Sequence, residues 1–243
     1  MRTFALHGKR LRVAGWVVAV MAPAFMIGSL WLSQTHRDGF ITLFDDDGLI
    51  ETAQALLYAG GSWLSAVLAR RLWLAGSRAW AILYGVLAAG LFWVTGEEIS
   101  WGQRLLGIAT PEWFMRHNVQ RELTLHNLPG VTETIKKALY RLLPVLAGVS
   151  AVLWGMGRPW ARRLRLALWL PREALIPTWL SIVSYHWLRR WYYPTNELVP
   201  FEFKRLAEAG EFLFALGVVV FLMMALGSVH ADQPAAGTDE PRS

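Results

Sequence analysis

From Val13 to Leu32 the chain runs through twenty consecutive residues without a charge. A helix needs about 20 apolar residues to cross the hydrocarbon core of a bilayer. A signal peptide has a shorter apolar region of roughly 7–15 residues and a small-residue cleavage site. This run is longer and lacks a clean site, so it reads as a retained first spanning helix. Further apolar runs follow at 49–68, 79–95, 142–156, 174–188 and 206–227. The expected fold class is therefore all-α: a polytopic membrane helix bundle with about six transmembrane helices. The fourth and fifth runs are short, which leaves a count of five open. Residues 1–227 should form a single transmembrane domain. Residues 228–243, rich in Pro, Ala, Asp and Glu, should be a disordered cytoplasmic tail.

Composition agrees with a bilayer as the solvent. Only 17% of the 243 residues are charged, against about 25% in a soluble domain. There are 14 Trp, the residue that sits at headgroup level. No Cys is present, which removes disulfides, thiolate metal sites and thiol nucleophiles. The net charge is +6, but the basic residues cluster in short segments between apolar runs. Topology explains them without a nucleic-acid partner, and no soluble basic face is expected. The membrane lipid bilayer is the one partner composition implies. Oligomeric state stays open.

Those basic clusters orient the chain. Arg2, Lys9, Arg10 and Arg12 precede the first run; Arg70, Arg71 and Arg78 separate the second and third; Arg158, Arg162, Arg163, Arg165 and Arg172 separate the fourth and fifth. Short Lys/Arg-rich loops stay cytoplasmic, and six helices place all three clusters on one side. The expected location is a bacterial inner (plasma) membrane, with both termini cytoplasmic. Glu51, Gln54, Glu97, Glu98, Glu122, His126, Asn127, His186, Glu208 and Glu211 then all fall at the outer face.

Within that set, Gly96-Glu97-Glu98-Ile99-Ser100-Trp101-Gly102-Gln103-Arg104 draws the functional reading. A charged side chain at bilayer depth costs roughly 2.5–3.5 kcal/mol and is usually paired or functional. Two like charges side by side also disfavour joint ionisation, which suits proton transfer. Glu97, Glu98 and His126 are the candidate catalytic residues. Glu51, Trp101, Gln103, Arg104, Glu122, Asn127, Glu208 and Glu211 are the candidate substrate-binding residues. Glu208 and Glu211 share a helix face at i, i+3, and Glu122 and His126 would do so at i, i+4 if helical. Carboxylates and imidazoles suit a hard or borderline divalent metal, but no complete metal signature is present, so the cofactor stays unknown. The plainer reading makes the Glu pair a polar cap with Arg104 or Arg121 as ion partner, and His126 and His186 interfacial histidines.

Local signals complete the expectation. Asp47, ending an acidic run, is the expected N-cap of the second helix. Thr110, Pro111 and Glu112 look like a helix start, with Thr as N-cap and Pro at the first position. They open an amphipathic interfacial segment between helices 3 and 4.

Glu51 after its acidic run, the stretch from Gly96 to Arg104, Thr110-Pro111-Glu112, and Asn118, Gln120, Glu122 and Leu125-His126-Asn127-Leu128 resemble a family of uncharacterised bacterial multi-pass membrane proteins. The likeness covers residues 45–130 best, with a weaker echo at Asn196-Glu197 and from Glu208 to Phe214. It implies a site and no particular reaction. A faint likeness to membrane hydrolases of the alkaline ceramidase type does not extend to their His, Asp and Ser pattern, and carries over no residues. Three functions stay open. The chain is an enzyme acting on a lipid or lipid-linked substrate, a non-catalytic membrane subunit or docking protein, or an ion-coupled transporter.

Overall fold

The computed structural model describes residues 2–45, 48–157, 165–171, 175–193 and 200–231. Regular structure among them is helical throughout, with no strand. The helices are α1 (Arg2–Thr35), α2 (Arg37–Phe44), α3 (Leu49–Leu74), α4 (Arg78–Glu98), α5 (Gln103–Leu106), α6 (Glu112–His117), α7 (Val131–Gly155), α8 (Ile176–Tyr192) and α9 (Phe201–Ala231).

The runs at 13–32, 49–68, 79–95 and 206–227 lie within long helices, and those at 142–156 and 174–188 fall largely within two more. The fourth run is extended backwards to Val131 and the fifth forwards to Tyr192. Helix α9 continues through Ala231, past the expected start of the tail at Ser228. Asn196, Glu197 and residues 232–243 lie outside the described residues, as do Arg158, Arg162, Arg163 and Arg172 of the basic loop. By length and apolar composition, three described helices can cross a membrane: Val13–Thr35, Arg78–Glu98 and Phe201–Val229. The apolar window of the α4 span is only 22% buried inside the protein. Its outward residues include Ile82, Leu83, Val86, Phe92 and Trp93. A helix that exposes this much apolar surface requires an apolar surrounding.

Helix α9 is the central element, touching α1, α2, α3 and α8, while α4 packs outside α3 and α7 outside α8. Helices α3 and α4 form an antiparallel hairpin whose turn uses Gly76 at φ 75°, a conformation that favours glycine. Ser62 of α3 donates to the Ala88 carbonyl of α4 at 2.8 Å. Gly61 lets the three helices approach: a methyl group there would stand 3.2 Å from Leu91 of α4 and 3.6 Å from Leu222 of α9.

The two ends of the bundle differ in chemistry. At one end Arg165 donates to Ser77 in the α3–α4 turn at 3.0 Å, and Tyr84 donates to the Leu168 carbonyl at 2.7 Å. Arg165 therefore sits at the turn between Arg71 and Arg78. At the other end Arg205 pairs with Asp45 at 2.8 Å, Arg37 pairs with Glu202, and Tyr185 donates to the Phe203 carbonyl. The acids of α3, α4 and α9 lie toward this second end.

Several local expectations are corrected. The segment 33–48 between the first two apolar runs contains a helix, α2, because Phe40 and Phe44 bury against α1 and α9. The N-cap of α3 is Gly48; Asp46 and Asp47 lie outside the described residues. Helix α6 starts at Glu112 with Pro111 as its cap residue. Thr110 is not the cap: its hydroxyl accepts a hydrogen bond from Gln103. The segment carrying Glu122 and His126 is not helical, so the i, i+4 face does not exist.

Candidate functional site

The chain leaves α4 through a left-handed turn. Ser100 (φ 47°), Trp101 (φ 54°) and Gly102 (φ 73°) all adopt positive φ. For the two non-glycine residues this costs about 1–2 kcal/mol each. The turn throws the Trp101 indole back over the helix it has just left. Its ring lies against Gly96, where an added methyl would meet ring carbons at 2.7 Å. Trp93 stacks edge-on at 4.9 Å between centroids. The spacing of Gly96, Glu97 and Trp101 follows: the first leaves room for the indole, and the second accepts its Nε1–H at 2.9 Å.

Glu97 is the hub of a clasp. It is 5% exposed, at the C-terminal end of a helix where the dipole disfavours a carboxylate. The segment 118–128 supplies the compensation. The backbone N–H groups of Leu125 and His126 donate to Glu97 Oε2 at 2.6 and 2.8 Å, and His126 Nδ1 stands 3.2 Å from the same oxygen. Backbone donors aimed at a carboxylate favour its charged form and are stronger than neutral pairs.

Two more side chains of the motif hold the same segment. Ser100 donates to Glu122 at 2.5 Å, and Gln103 accepts the Leu123 N–H at 2.8 Å. The segment is folded on itself by Asn118, which is buried. Its amide donates to the Thr124 carbonyl at 2.7 Å, and its oxygen accepts the Gln120 N–H at 2.9 Å. Asn127 donates to Gln120, and the Val119 N–H donates to the Asn127 carbonyl at 3.1 Å. Both halves of the motif are thus one hydrogen-bonded unit at the end of α4.

Glu98 belongs to a different neighbourhood. Tyr58 of α3 lies within electrostatic reach of Glu98, Glu208 and Glu211. Gln54, one turn before Tyr58 on the same helix face, is fully buried. The sequence candidates therefore divide. Glu97, Trp101, Gln103, Glu122, His126 and Asn127 build the clasp; Glu98 of α4 and Glu208 and Glu211 of α9 lie within electrostatic reach of Tyr58 of α3. Glu51 lies one turn before Gln54 in the first turn of α3. Arg104 lies in α5, where only its backbone is described. His186 is partly buried on α8.

Among the described residues, no group of three or more His, Asp or Glu side chains is placed to hold a metal ion. Residue reading missed Tyr58 as a site member, although its i, i+4 spacing from Gln54 puts the two on one face. Ser100 and Thr124 were missed for another reason: their partners are more distant along the chain or are backbone groups, which residue types do not reveal.

The fold and the surface together define an all-helical chain with three membrane-spanning candidates and a polar site at one end of the bundle. No protein-family model, curated protein or solved structure matches it.

Proposed function

We propose that the chain is a multi-pass protein of the bacterial inner membrane with six spans and cytoplasmic termini, belonging to the multi-pass family its motif resembles. In this reading the polar end of the bundle faces outward and carries out acid–base chemistry on a lipid or lipid-linked substrate. The observation that carries it is the Glu97–His126 pair. A carboxylate held by two backbone amides and an indole stands beside imidazole Nδ1, so Nδ1 carries the proton and Nε2 is the basic nitrogen. The His126 side chain is 35% exposed, within reach of a headgroup. Carboxylate-oriented imidazoles of this kind take and return protons in catalysis. Glu97 is then a positioning residue, and Glu98 the second acid.

The experiment compares membrane lipids, by mass spectrometry, from cells making the native chain and cells making His126→Asn. One lipid class should change in abundance with the native chain and not with the variant. Identical profiles, with equal amounts of folded protein, would discard the enzymatic reading.

A second reading is favoured by the clasp itself. Because Glu97, Ser100 and Gln103 all bind the chain's own segment 118–128, the motif also suits a non-catalytic subunit that presents this segment to a partner. An ion-coupled transporter is the third, resting on the acids around Tyr58, though their position toward one end of the bundle departs from the midplane sites of known transporters.

A further inference from the structure

At the end of the α3–α4 hairpin away from the clasp lies a shallow cleft of about 270 Å³, lined by Ala69, Arg70, Trp73, Ala81 and Ile82. Two of these residues are alanines, one from each helix, and side chains that stop at Cβ leave a gap where larger ones would close it. The rim is apolar and open: Trp73, Leu74 and Ile82 are all more than half exposed. Enclosed ligand pockets span about 300–1,000 Å³ and bury most of the ligand. A cleft this small and open suits one face of an alkyl chain instead.

The charges at its mouth are of one sign. Arg70 lines the cleft itself. The Arg78 guanidinium stands 5.8 Å from the centroid of the Trp73 ring, within cation–π range. Arg165 is tied at 3.0 Å to Ser77, the residue before Arg78. Ser77 is also the N-cap residue of α4 and gives that helix no side-chain cap, so the positive end of the helix dipole is left open at the same place. No acid offsets these charges nearby in the chain: residues 52–96 and 165–171 contain no Asp or Glu. Among the described residues, neither Arg70 nor Arg78 is engaged in an ion pair.

The level of the cleft decides its occupant. Arg78 opens a helix long and apolar enough to cross a membrane. The mouth therefore falls where that helix meets water, a level that suits Trp73. Ile82, four residues on, lies about 6 Å further in. A soluble anion would use the mouth and leave the cleft empty. A zwitterionic lipid would use the cleft but bring an ammonium group to the guanidiniums. A lipid with a net negative headgroup uses both.

We propose that this cleft binds an anionic phospholipid of the surrounding bilayer, with its phosphate at Arg70 and Arg78 and an acyl chain along Ala69, Ala81 and Ile82. The site stands apart from the polar end of the bundle and does not depend on the chemistry read there.

The full chain in a non-ionic detergent is titrated with a short-chain phosphatidylglycerol, with the phosphatidylcholine of the same chains, or with glycerol 3-phosphate, and Tm is read. A ligand that binds only the folded chain raises Tm as its concentration passes Kd. The phosphatidylglycerol should do so, and the other two should not at matched concentrations. In Arg78→Gln and in Arg70→Gln the apparent affinity should fall about fivefold, the scale of one basic residue at a lipid surface. Ala69→Leu, which fills the cleft and keeps both charges, should weaken binding as well. Arg116→Gln, at an exposed position on α6, should bind as the native chain does. Equal stabilisation by phosphatidylcholine would reduce the site to ordinary lipid contact, and stabilisation by glycerol 3-phosphate would make it a soluble-anion site; either overturns the proposal. So would no stabilisation by any of the three, or unchanged affinity in the variants that fold.

Discussion

Glu97 and Glu98 are neighbours in the chain and belong to different structures. Glu97 accepts backbone N–H groups from Leu125 and His126, while Glu98 lies in electrostatic reach of Tyr58 between three helices. The first is committed to the chain's own fold.

That division predicts opposite behaviour on neutralisation. Glu97→Gln places an amide where at least three N–H donors converge, so one donor faces another. The expected loss is about 2 kcal/mol, the scale of a hydrogen bond to a charged group. Hydrogen exchange should show the Leu125 and His126 amides losing protection before the helices do. Unchanged protection there would refute the clasp.

Glu98→Gln should leave Tm in detergent unchanged or higher, because it removes one of several like charges gathered around Tyr58. A drop of several degrees would place Glu98 in a stabilising ion pair and favour the structural-subunit reading.

Gly96→Ala tests the packing of the turn. The new methyl would lie 2.7 Å from the Trp101 ring, closer than real contacts allow. Overpacking of this kind costs about 1–3 kcal/mol. The indole must move, so Trp fluorescence should change along with Tm. Gly90→Ala is the control, since nothing lies within 4 Å of its added methyl.

The orientation in the membrane can be read with reporter fusions. Fusions after Arg71 and after Arg165 should report cytoplasmic, and one near Pro129 should report external. Arg165 and Ser77 in contact already place the first two at one end of the bundle. A cytoplasmic signal near Pro129 would move the polar site to the other face.

Much of the helical framework was legible in the residues, because an uncharged run of bilayer length has few other folds open to it. Residues 13–32, 79–95 and 206–227 fall inside α1, α4 and α9. The short runs at 142–156 and 174–188 understated their helices. Polar residues such as Lys137 and Arg189 continue a helix as readily as apolar ones, since hydropathy marks where a helix is dry and not where it ends. Helix α2 was hidden because eight residues are too few for a periodic signal, and its burial depends on α1 and α9.

The candidate site was legible as a collection and not as an arrangement. Adjacent carboxylates after an apolar run mark a place that must be compensated, whatever the fold. Which group compensates each one depends on contacts far apart in sequence, such as Glu97 with His126. The sequence by itself determined the long apolar helices and the residues that cannot face lipid, because the cost of exposing charge to hydrocarbon is local to each segment. Only the tertiary structure decided that Glu97 is held by a backbone loop while Glu98 shares the electrostatic surroundings of Tyr58 with the acids of α9. Hydrogen-bond geometry and charge proximity are set by the left-handed turn at Ser100–Gly102 and by the close approach of α3, α4 and α9, and neither is encoded in any single run of residues.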